Sequence, residues 1–375
     1  MKKARYILFA LLLAFTACSR FEHVKGVHVF LQKPEVRQRY GGEMGALADE
    51  LKEAGVTHVI VPVMEGGTAY YPSDVLPQRW EFGTELLAFR HALRRRNINF
   101  VAQIPIFRDA YTYRSQPALR AVDEFGSRNS SEVLSAICPT DQGYQNYKLQ
   151  AIEEVMLILQ PDVVYLDKLS FPMDTDVICI DLHVAHSRNF CFCPTCLGAF
   201  SEHTTIDLPK TGSIVEQNSW ILDNFNNAWV QWKTGTITAF MEKANKQILD
   251  INPNCKIMLS VIPWKEEDHN YGRQRLAGQD VKTLAPFIDH FILKTSCHIP
   301  DQIYDEIRLS LMNELENSEA EVIPTIQLQI DPPHSAEKEF QNSLQFFRNR
   351  VIVSDWGYLL KNRRYLNIFI SEPIL

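Results

Sequence analysis

Residues 161–172 read PDVVYLDKLSFP, and this stretch decides how the fold is interpreted. The apolar run from Val163 to Leu166 is typical of a strand buried on both faces, as in a parallel sheet covered by helices. The run ends directly on a carboxylate, Asp167. In α/β barrels the functional groups lie where strands end and their loops begin. Asp167 is therefore the strongest single candidate for a functional residue.

Seven other short runs rich in Val, Ile and Leu predict strands at 26–31, 58–64, 99–106, 256–262, 289–293, 321–328 and 350–354. Helical periodicity predicts helices at 43–54, 84–96, 144–159, 221–250, 301–316 and 336–348, with no clear helix after residue 354. Together with the strand at 162–167, this pattern favours a closed (β/α)8 barrel, the TIM-barrel fold, over an open sheet. We expect residues 26–375 to form one domain, with a long cysteine-rich loop after the fourth strand.

The N-terminal residues 1–17 have the pattern of a signal peptide. Lys2, Lys3 and Arg5 precede an apolar stretch at 7–15 that is too short to span a bilayer, and small residues then precede Cys18. This arrangement is similar to a bacterial lipoprotein signal, with cleavage before Cys18 and a lipid on its sulfur. We predict a lipid-anchored protein of the cell envelope, at the outer membrane or the cell surface, with residues 18–25 as a linker. The alternatives are an ordinary signal peptide or an N-terminal anchor.

The net charge and the absence of two motifs argue against nucleic-acid binding and against a nucleotide-binding fold. The formal net charge is −7 and no basic cluster suits a nucleic acid, so nucleic acid is set aside. The chain also lacks the glycine-rich motifs GxGxxG and GxxxxGK[ST], which argues against a nucleotide-binding fold.

The predicted strand ends carry carboxylates, amides and aromatic rings, which is the mixture that binds sugars. Cleavage of a glycosidic bond requires two carboxyl groups, one protonated and one ionised. We predict Asp167 as the first of them, with Glu65 or Asp355 as its partner. The predicted substrate-binding residues are Lys168, Trp264, Lys294, Gln327 and Trp356.

Several polar and aromatic residues at the strand ends would also fit a purely structural role. Asp167 would also serve as a helix cap or as the ion-pair partner of Lys168 or Lys294. Glu65 precedes two glycines and would also serve a turn, and Trp356 would also fill the barrel mouth. His28, on the first strand, is more often a core histidine with satisfied hydrogen bonds than a ligand-binding residue.

Three cysteines lie close together at Cys191, Cys193 and Cys196. This spacing suits one tetrahedral metal ion, and a closed site of four thiolates would brace loops rather than catalyse. The candidates for the fourth ligand are Cys138, Cys179 and His186. The alternatives are a disulfide within the cluster or free thiols, although adjacent disulfides in so short a run are strained.

Part of this region resembles the family 42 β-galactosidases. The resemblance rests on FGSR at 125–128, CPT at 138–140, the strand ending in Asp167, and CFCPTCLGAF at 191–200. It implies a structural zinc ion held by Cys138 together with the three clustered cysteines. The catalytic residues of that family are not present: DKL at 167–169 stands where the family has Asp-Asn-Glu, and PTIQLQ at 324–329 lacks the nucleophilic glutamate.

A broader resemblance, over about residues 26–357, is to the glycoside-hydrolase-like barrels. It rests on VYLDKLSFP at 164–172, LSVIP at 259–263, GQD at 278–280, IDHFI at 288–292 and VIPTIQ at 322–327. Ser170 replaces the arginine usual after the fourth strand, and this removes a bidentate partner for a carboxylate or a sugar.

These features predict a lipid-anchored barrel that binds carbohydrate and hydrolyses a glycosidic bond. The main alternative is a carbohydrate-binding lipoprotein with a degenerate active site. A metal-dependent hydrolase that uses histidines is a weaker alternative, because the sequence contains neither H-x-H nor HExxH.

Overall fold

The computed structural model describes residues 23–78, 83–128, 135–173, 188–210, 212–294, 301–328, 336–347 and 350–372. The predicted signal peptide, the lipidation candidate Cys18 and the fourth-ligand candidates Cys179 and His186 lie outside these residues. None of the described helices is both long enough and apolar enough to cross a membrane.

Eight parallel strands close into a barrel, as predicted. They are β1 (Val24–His28), β2 (His58–Pro62), β3 (Asn99–Pro105), β4 (Val163–Asp167), β5 (Lys256–Val261), β6 (His290–Leu293), β7 (Glu321–Gln327) and β8 (Arg350–Ser354). Each strand pairs with the next along the chain, and β1 also pairs with β8, so the barrel has no open edge. The first strand begins at Val24, inside the segment predicted as a linker.

Helices surround the barrel. They are α1 (Pro34–Tyr40), α2 (Met44–Glu53), α3 (Gly83–Arg95), α4 (Ala110–Ser115), α5 (Gln142–Leu159), α6 (Pro194–Thr204), α7 (Ile214–Ile251), α8 (Asp268–Arg275), α9 (Val281–Leu284), α10 (Asp301–Glu314), α11 (Ala336–Phe346), α12 (Trp356–Lys361) and α13 (Arg363–Ser371). A two-stranded antiparallel hairpin, Met64–Glu65 with Thr68–Ala69, follows β2.

The structure corrects the predicted helices in two places. The long helix α7 begins at Ile214 rather than at residue 221, because Ser213 and Glu216 form a reciprocal capping box there. Two helices, α12 and α13, follow β8, where the sequence analysis found no clear helix. In α13 the spacing of the buried residues Tyr365, Leu366 and Phe369 gives the helix an apolar face that packs on the core.

Side chains at alternate positions along a strand lie on the same face of the sheet, and those on the inner face fill the interior of the barrel. This interior cluster consists of Val24, Ile60, Val101, Val163, Tyr165, Met258, Ile292, Ile323 and Ile352. Gly26 is also part of this wall, since a Cβ atom there would lie 2.7 Å from the side chain of Ile352. The next alternate positions toward the carboxyl ends of the strands line what we call the mouth, and all but one of them are polar. They are His28, Pro62, Gln103, Asp167, Ser260, Lys294, Thr325 and Ser354.

Candidate functional site

Asp167 is the last residue of β4 and lies at the mouth. Its side chain follows Val163 and Tyr165 in the alternation, so it points toward the barrel axis. The residue is 5% exposed. The position predicted from sequence is therefore correct, but the carboxylate lies below the surface of the mouth rather than open to solvent.

Both carboxylate oxygens of Asp167 have hydrogen-bond or ion-pair partners. The side-chain nitrogen of Gln103 donates to Oδ2 at 2.8 Å, and the backbone nitrogen of Lys168 donates to Oδ1 at 2.9 Å. The ammonium group of Lys294 lies 3.3 Å from Oδ2, and its side chain is 33% exposed. The ion pair with Lys294, considered above as an alternative role, is thus present.

These contacts keep Asp167 ionised. Burial is the largest single influence and would raise the pKa of the carboxyl group, but the charges of Lys294 and Lys168 act in the opposite direction. With hydrogen bonds from Ser260 and Gln103, they hold the pKa well below its ordinary value. An ionised carboxylate at the mouth can act as a nucleophile, a base or a stabiliser of positive charge, but it cannot donate a proton.

Two further residues at the mouth, Gln103 and His28, were not selected from sequence as site residues. Gln103 interrupts the apolar strand β3, and a buried amide in such a strand is a signal that sequence reading can use. His28 ends β1 and is buried. Its pKa is lowered to about 3, chiefly by burial and then by the charge of Lys294, so the ring is neutral.

Glu65, the first candidate partner of Asp167, lies in the hairpin after β2. It is exposed, and it accepts a hydrogen bond from the Tyr70 hydroxyl group. The two glycines that follow it have positive φ angles, +55° at Gly66 and +80° at Gly67, as a turn requires. Glu65 therefore serves a turn, and the residue as a whole remains exposed.

Asp355 and Trp356 are engaged in the helical layer. Asp355 caps α12 by accepting a hydrogen bond from the backbone nitrogen of Tyr358 at 3.0 Å, and it pairs with Lys33 at 2.5 Å. Trp356 is fully buried, and its ring nitrogen donates to the hydroxyl group of Tyr40 at 3.1 Å. The contacts of both residues are structural.

The remaining predicted binding residues differ in exposure. Gln327 is exposed at the end of β7, and Lys168 is half-buried with a φ of +56°. Trp264 is buried after β5 and packs edge-on against His269, with ring centroids 4.7 Å apart. Gln327 and Lys168 are accessible to a ligand, whereas the ring of Trp264 is part of a small apolar cluster.

A second site is formed by four buried cysteines, Cys138, Cys191, Cys193 and Cys196, whose sulfurs all lie within 4.8 Å of one another. The Cys138 sulfur is 3.4 Å from those of Cys193 and Cys196, well beyond the roughly 2.05 Å of a disulfide bond. A tetrahedral zinc ion with bonds of about 2.3 Å would place its sulfurs about 3.8 Å apart. The donor set and its spacing therefore fit a metal ion of that kind. Among the described residues, this is the one such cluster of metal-ligating side chains.

Backbone hydrogen bonds connect the four-cysteine site to β4. The nitrogen of Ile137, which precedes Cys138, donates to the carbonyl oxygen of Phe107 at 3.2 Å. The nitrogen of Phe107 in turn donates to the carbonyl oxygen of Lys168 at 3.3 Å. The segment that carries Cys138 is thus hydrogen-bonded, through Phe107, to the residue that follows Asp167.

Aromatic packing and one buried lysine hold the other three cysteines in place. Phe192 stacks on Trp229 of α7, with ring centroids 4.6 Å apart. Lys233, also on α7, is fully buried and donates to the side-chain oxygen of Asn189 at 2.8 Å and to the carbonyl oxygen of Leu276 at 2.7 Å. These contacts give the cysteine segment a fixed position against α7.

Comparison with solved structures identifies glycoside hydrolases as structural neighbours. The PgaB (BpsB) glycoside hydrolase domain from Bordetella bronchiseptica has a TM-score of 0.66 at 12% identity, over 94% of this chain and 99% of that one. α-L-Fucosidase isoenzyme 2 from Paenibacillus thiaminolyticus has a TM-score of 0.60 at 14% identity, over 92% of this chain and 49% of that one. The GH42 β-galactosidase Gan42B has a TM-score of 0.60 at 12% identity, over 94% of this chain and 56% of that one.

This likeness is one of fold. No protein-family model matches the sequence, and no curated protein does. The chain spans about half the length of the fucosidase and of the β-galactosidase, and nearly the whole of the Bordetella domain.

One more buried charge pair lies beyond the end of β3. Asp109 and Lys148 are both fully buried, and the ammonium nitrogen lies 3.0 Å from Oδ2. Asp109 also caps α4 by accepting a hydrogen bond from the backbone nitrogen of Thr112 at 2.8 Å. A Cβ atom at Gly67 would lie 1.9 Å from Oδ1. The pair therefore fixes α4, α5 and the hairpin after β2 to one another.

Proposed function

We propose that the protein is a carbohydrate-active barrel that binds a sugar at the mouth and hydrolyses a glycosidic bond. The observation that carries the proposal is an ionised carboxylate, Asp167, at the end of β4 in a barrel whose structural neighbours are glycoside hydrolases. A strand-end position at the carboxyl face is where barrels of this type hold their reacting groups.

In this mechanism Asp167 is the ionised member of the carboxyl pair. Its depressed pKa suits a nucleophile or a general base and excludes the role of proton donor. Of the two partners predicted from sequence, Glu65 is the one that a bound ligand can reach, because the residue is exposed. Asp355 caps a helix and pairs with Lys33, so using it would disrupt α12.

A second candidate function is carbohydrate binding without hydrolysis. The ion pair between Lys294 and Asp167 favours it, because an ammonium group 3.3 Å away offsets the negative charge that would stabilise an oxocarbenium-like transition state. Ser170, in place of the arginine usual in the glycoside-hydrolase-like barrels, favours it as well.

Replacement of Asp167 by Asn distinguishes the two functions. A glycan array identifies bound saccharides, and hydrolysis of the best binders is then followed by product analysis. A hydrolase loses turnover by about 10²-fold or more in Asp167→Asn while it still binds the sugar. The matched control is Asp162→Asn, at the opposite end of the same strand, where the carboxylate accepts a hydrogen bond from the backbone nitrogen of Phe100 at 2.9 Å. Wild-type protein that binds sugars and never cleaves them supports the binding function, and the absence of any saccharide binding contradicts both.

We also propose that the four-cysteine site holds structural zinc. The ion would brace the segments around Cys138 and Cys191, and with four thiolate ligands it would leave no open position for water. Metal analysis of purified protein should give one zinc per chain, and Cys196→Ser should lose it. Cys255→Ser is the matched control, because Cys255 is buried but not a member of the cluster. Zinc content that is unchanged in Cys196→Ser would contradict this assignment.

We further propose that a lipid on Cys18 anchors the protein in the bacterial cell envelope. The support is the signal-like pattern of residues 1–17. Metabolic labelling with a radioactive fatty acid should label the wild-type protein and leave Cys18→Ala unlabelled. Labelling of both proteins, or of neither, contradicts the proposal.

A further inference from the structure

His28 is a buried histidine whose hydrogen-bonding capacity is not used by the described part of the chain. It is 2% exposed, and neither ring nitrogen has a hydrogen-bond partner among the described residues. Its ring lies 6.5 Å from the ring of Tyr165, measured between centroids, although the two residues are on β1 and β4. The imidazole therefore points across the barrel, into the base of the mouth.

Gln103, which bonds to Asp167, has a similar unused atom. Its side-chain nitrogen donates to Asp167 at 2.8 Å, so its oxygen points away from that carboxylate. That oxygen is buried and has no partner among the described residues. The orientation of the amide is fixed, because rotating it would place its oxygen against a negative charge.

The unused atoms define the chemistry of a missing partner. A neutral imidazole offers one N–H donor and one acceptor nitrogen, and the Gln103 oxygen accepts. A carboxylate offers only acceptors and an ammonium group offers only donors, so neither satisfies all three atoms. A hydroxyl group both donates and accepts. Leaving a buried polar atom unpaired destabilises the protein, so a partner that satisfies these atoms gains affinity.

We propose that His28 and Gln103 form a binding subsite at the floor of the mouth that recognises the hydroxyl groups of an uncharged sugar unit. The proposal rests on the carbohydrate binding proposed above and adds the substrate class. The subsite is adjacent to Asp167 through the Gln103 amide, so a sugar held there has its ring beside the ionised carboxylate. His28 acts as a specificity-determining residue, because its neutral ring offers an acidic sugar no charge of its own. The ammonium group of Lys294 at the same mouth is already paired with Asp167.

The experiment compares uncharged and acidic saccharides on the full mature chain by titration calorimetry. The probes are tetrasaccharides of glucose, galactose and mannose, and matched tetrasaccharides of glucuronic and galacturonic acid. Wild-type protein should bind at least one uncharged probe and bind its acidic counterpart at least tenfold more weakly. His28→Phe, which keeps a ring of similar shape, should lose tenfold or more in affinity for the uncharged probe. His58→Phe is the matched control: His58 is buried on β2 at the opposite end of the barrel, and its substitution should leave the affinity unchanged.

A second measurement does not depend on the folding of a variant. In wild-type protein labelled with ¹⁵N-histidine, the ring resonances of His28 should shift when the uncharged saccharide is added, and those of His58 should not. Unchanged affinity in His28→Phe, unmoved His28 resonances or a preference for the acidic probes overturns the subsite and indicates that water alone satisfies these atoms. Wild-type protein that binds no saccharide overturns the proposed function itself, so the two failures are distinguishable.

Discussion

The ammonium nitrogen of Lys294 lies 3.3 Å from Oδ2 of Asp167, and this contact joins the end of β6 to the end of β4 across the mouth. The two side chains differ in environment, since 7% of the Asp167 side chain is exposed against 33% of that of Lys294. The carboxylate is therefore the buried partner, and its charge depends on a cation that solvent reaches. This asymmetry decides what removal of either partner does.

Lys294→Met should leave Asp167 buried without its nearest cation. The pKa of the carboxyl group then rises, because burial favours the protonated form and the charge of Lys294 no longer opposes it. We expect the free energy of unfolding to fall by about 1–2 kcal/mol, less than for a fully buried pair because solvent screens Lys294. Denaturant unfolding at pH 7 measures the loss. Lys294→Arg keeps the charge and is the control, and equal stability of both variants and the wild type would contradict the prediction.

The Lys148–Asp109 pair predicts a larger effect, because both side chains are fully buried. Lys148→Met removes the cation and should destabilise the protein by about 3–5 kcal/mol, as expected when one partner of a buried pair is lost. Adding Asp109→Asn removes the uncompensated charge and keeps a good helix cap. The double variant should therefore be more stable than Lys148→Met, as measured by thermal and denaturant unfolding. A double variant that is less stable would show that the cap or packing, rather than charge, dominates.

The strands of the barrel were predictable from sequence, because strands buried on both faces read as continuous apolar runs. β4 is the clearest case: VVYL followed by Asp167 gives both the strand and the carboxylate at its end. The ends of helices were less predictable, since the start of α7 depends on a capping box between Ser213 and Glu216 rather than on periodicity. The spacing of Cys191, Cys193 and Cys196 predicted a cluster but left its fourth member open, and the resemblance to the family 42 β-galactosidases selected Cys138.

The surroundings of Asp167 were only partly predictable. A strand-end position does not indicate which residues from other strands reach the same point in space, so Gln103 and His28 were missed as neighbours. Asp355 and Trp356 were selected because they follow β8, but the turn into α12 directs both into the helical layer. Chain position alone therefore identifies the mouth of a barrel, whereas the direction of the next element decides which side chains face it.

Gly67 offers a sharp test of how the hairpin after β2 is packed. Gly67→Ala places a Cβ atom 1.9 Å from Oδ1 of Asp109, at a φ of +80°. We expect a loss of about 2–4 kcal/mol, from αL strain of roughly 1–2 kcal/mol and from displacement of the buried carboxylate. Gly66→Ala is the matched control, because it has a φ of +55° but its nearest neighbour is 3.4 Å away. Denaturant unfolding should rank Gly67→Ala well below Gly66→Ala, and equal losses would contradict the packing.

If the four-cysteine site holds zinc, as proposed, removal of the ion should loosen the segments that the four cysteines join. Dialysis of folded protein against a strong chelator at pH 7 should lower the melting temperature. An ion that binds only the folded chain adds its binding free energy to the stability of the fold, and the chelator removes that contribution. Hydrogen exchange should rise first around Cys138 and Cys191 and then at the backbone nitrogen of Phe107, which bonds to the carbonyl oxygen of Lys168. Re-addition of one equivalent of zinc should restore protection. Unchanged protection at Phe107 would show that the metal site and β4 are mechanically independent.

Because three histidines are buried and neutral, we expect the stability of the protein to fall as the pH is lowered below 6.5. Burial chiefly lowers the pKa of His28 and His58 to about 3 and that of His290 to about 4. Between those values and pH 6.5 the unfolded chain binds more protons than the native state, so the free energy of unfolding rises with pH in this window. Above pH 6.5 the contribution of the neutral histidines to stability is fully present. Each histidine contributes a slope of up to about 1.4 kcal/mol per pH unit.

Denaturant unfolding of wild-type protein at pH 7.5, 6.0 and 5.0 measures this slope. His28→Phe should reduce the slope by the contribution of one histidine. The same series belongs in a Cys196→Ser background, because acid release of zinc would produce a slope of the same sign. Stability that is flat from pH 7.5 to 5.0 in both backgrounds would mean that the histidines are charged, or hydrated, in the native state. In that case the uncharged subsite at His28 would lose its physical basis, since a protonated imidazole offers two donors and would favour an acidic sugar.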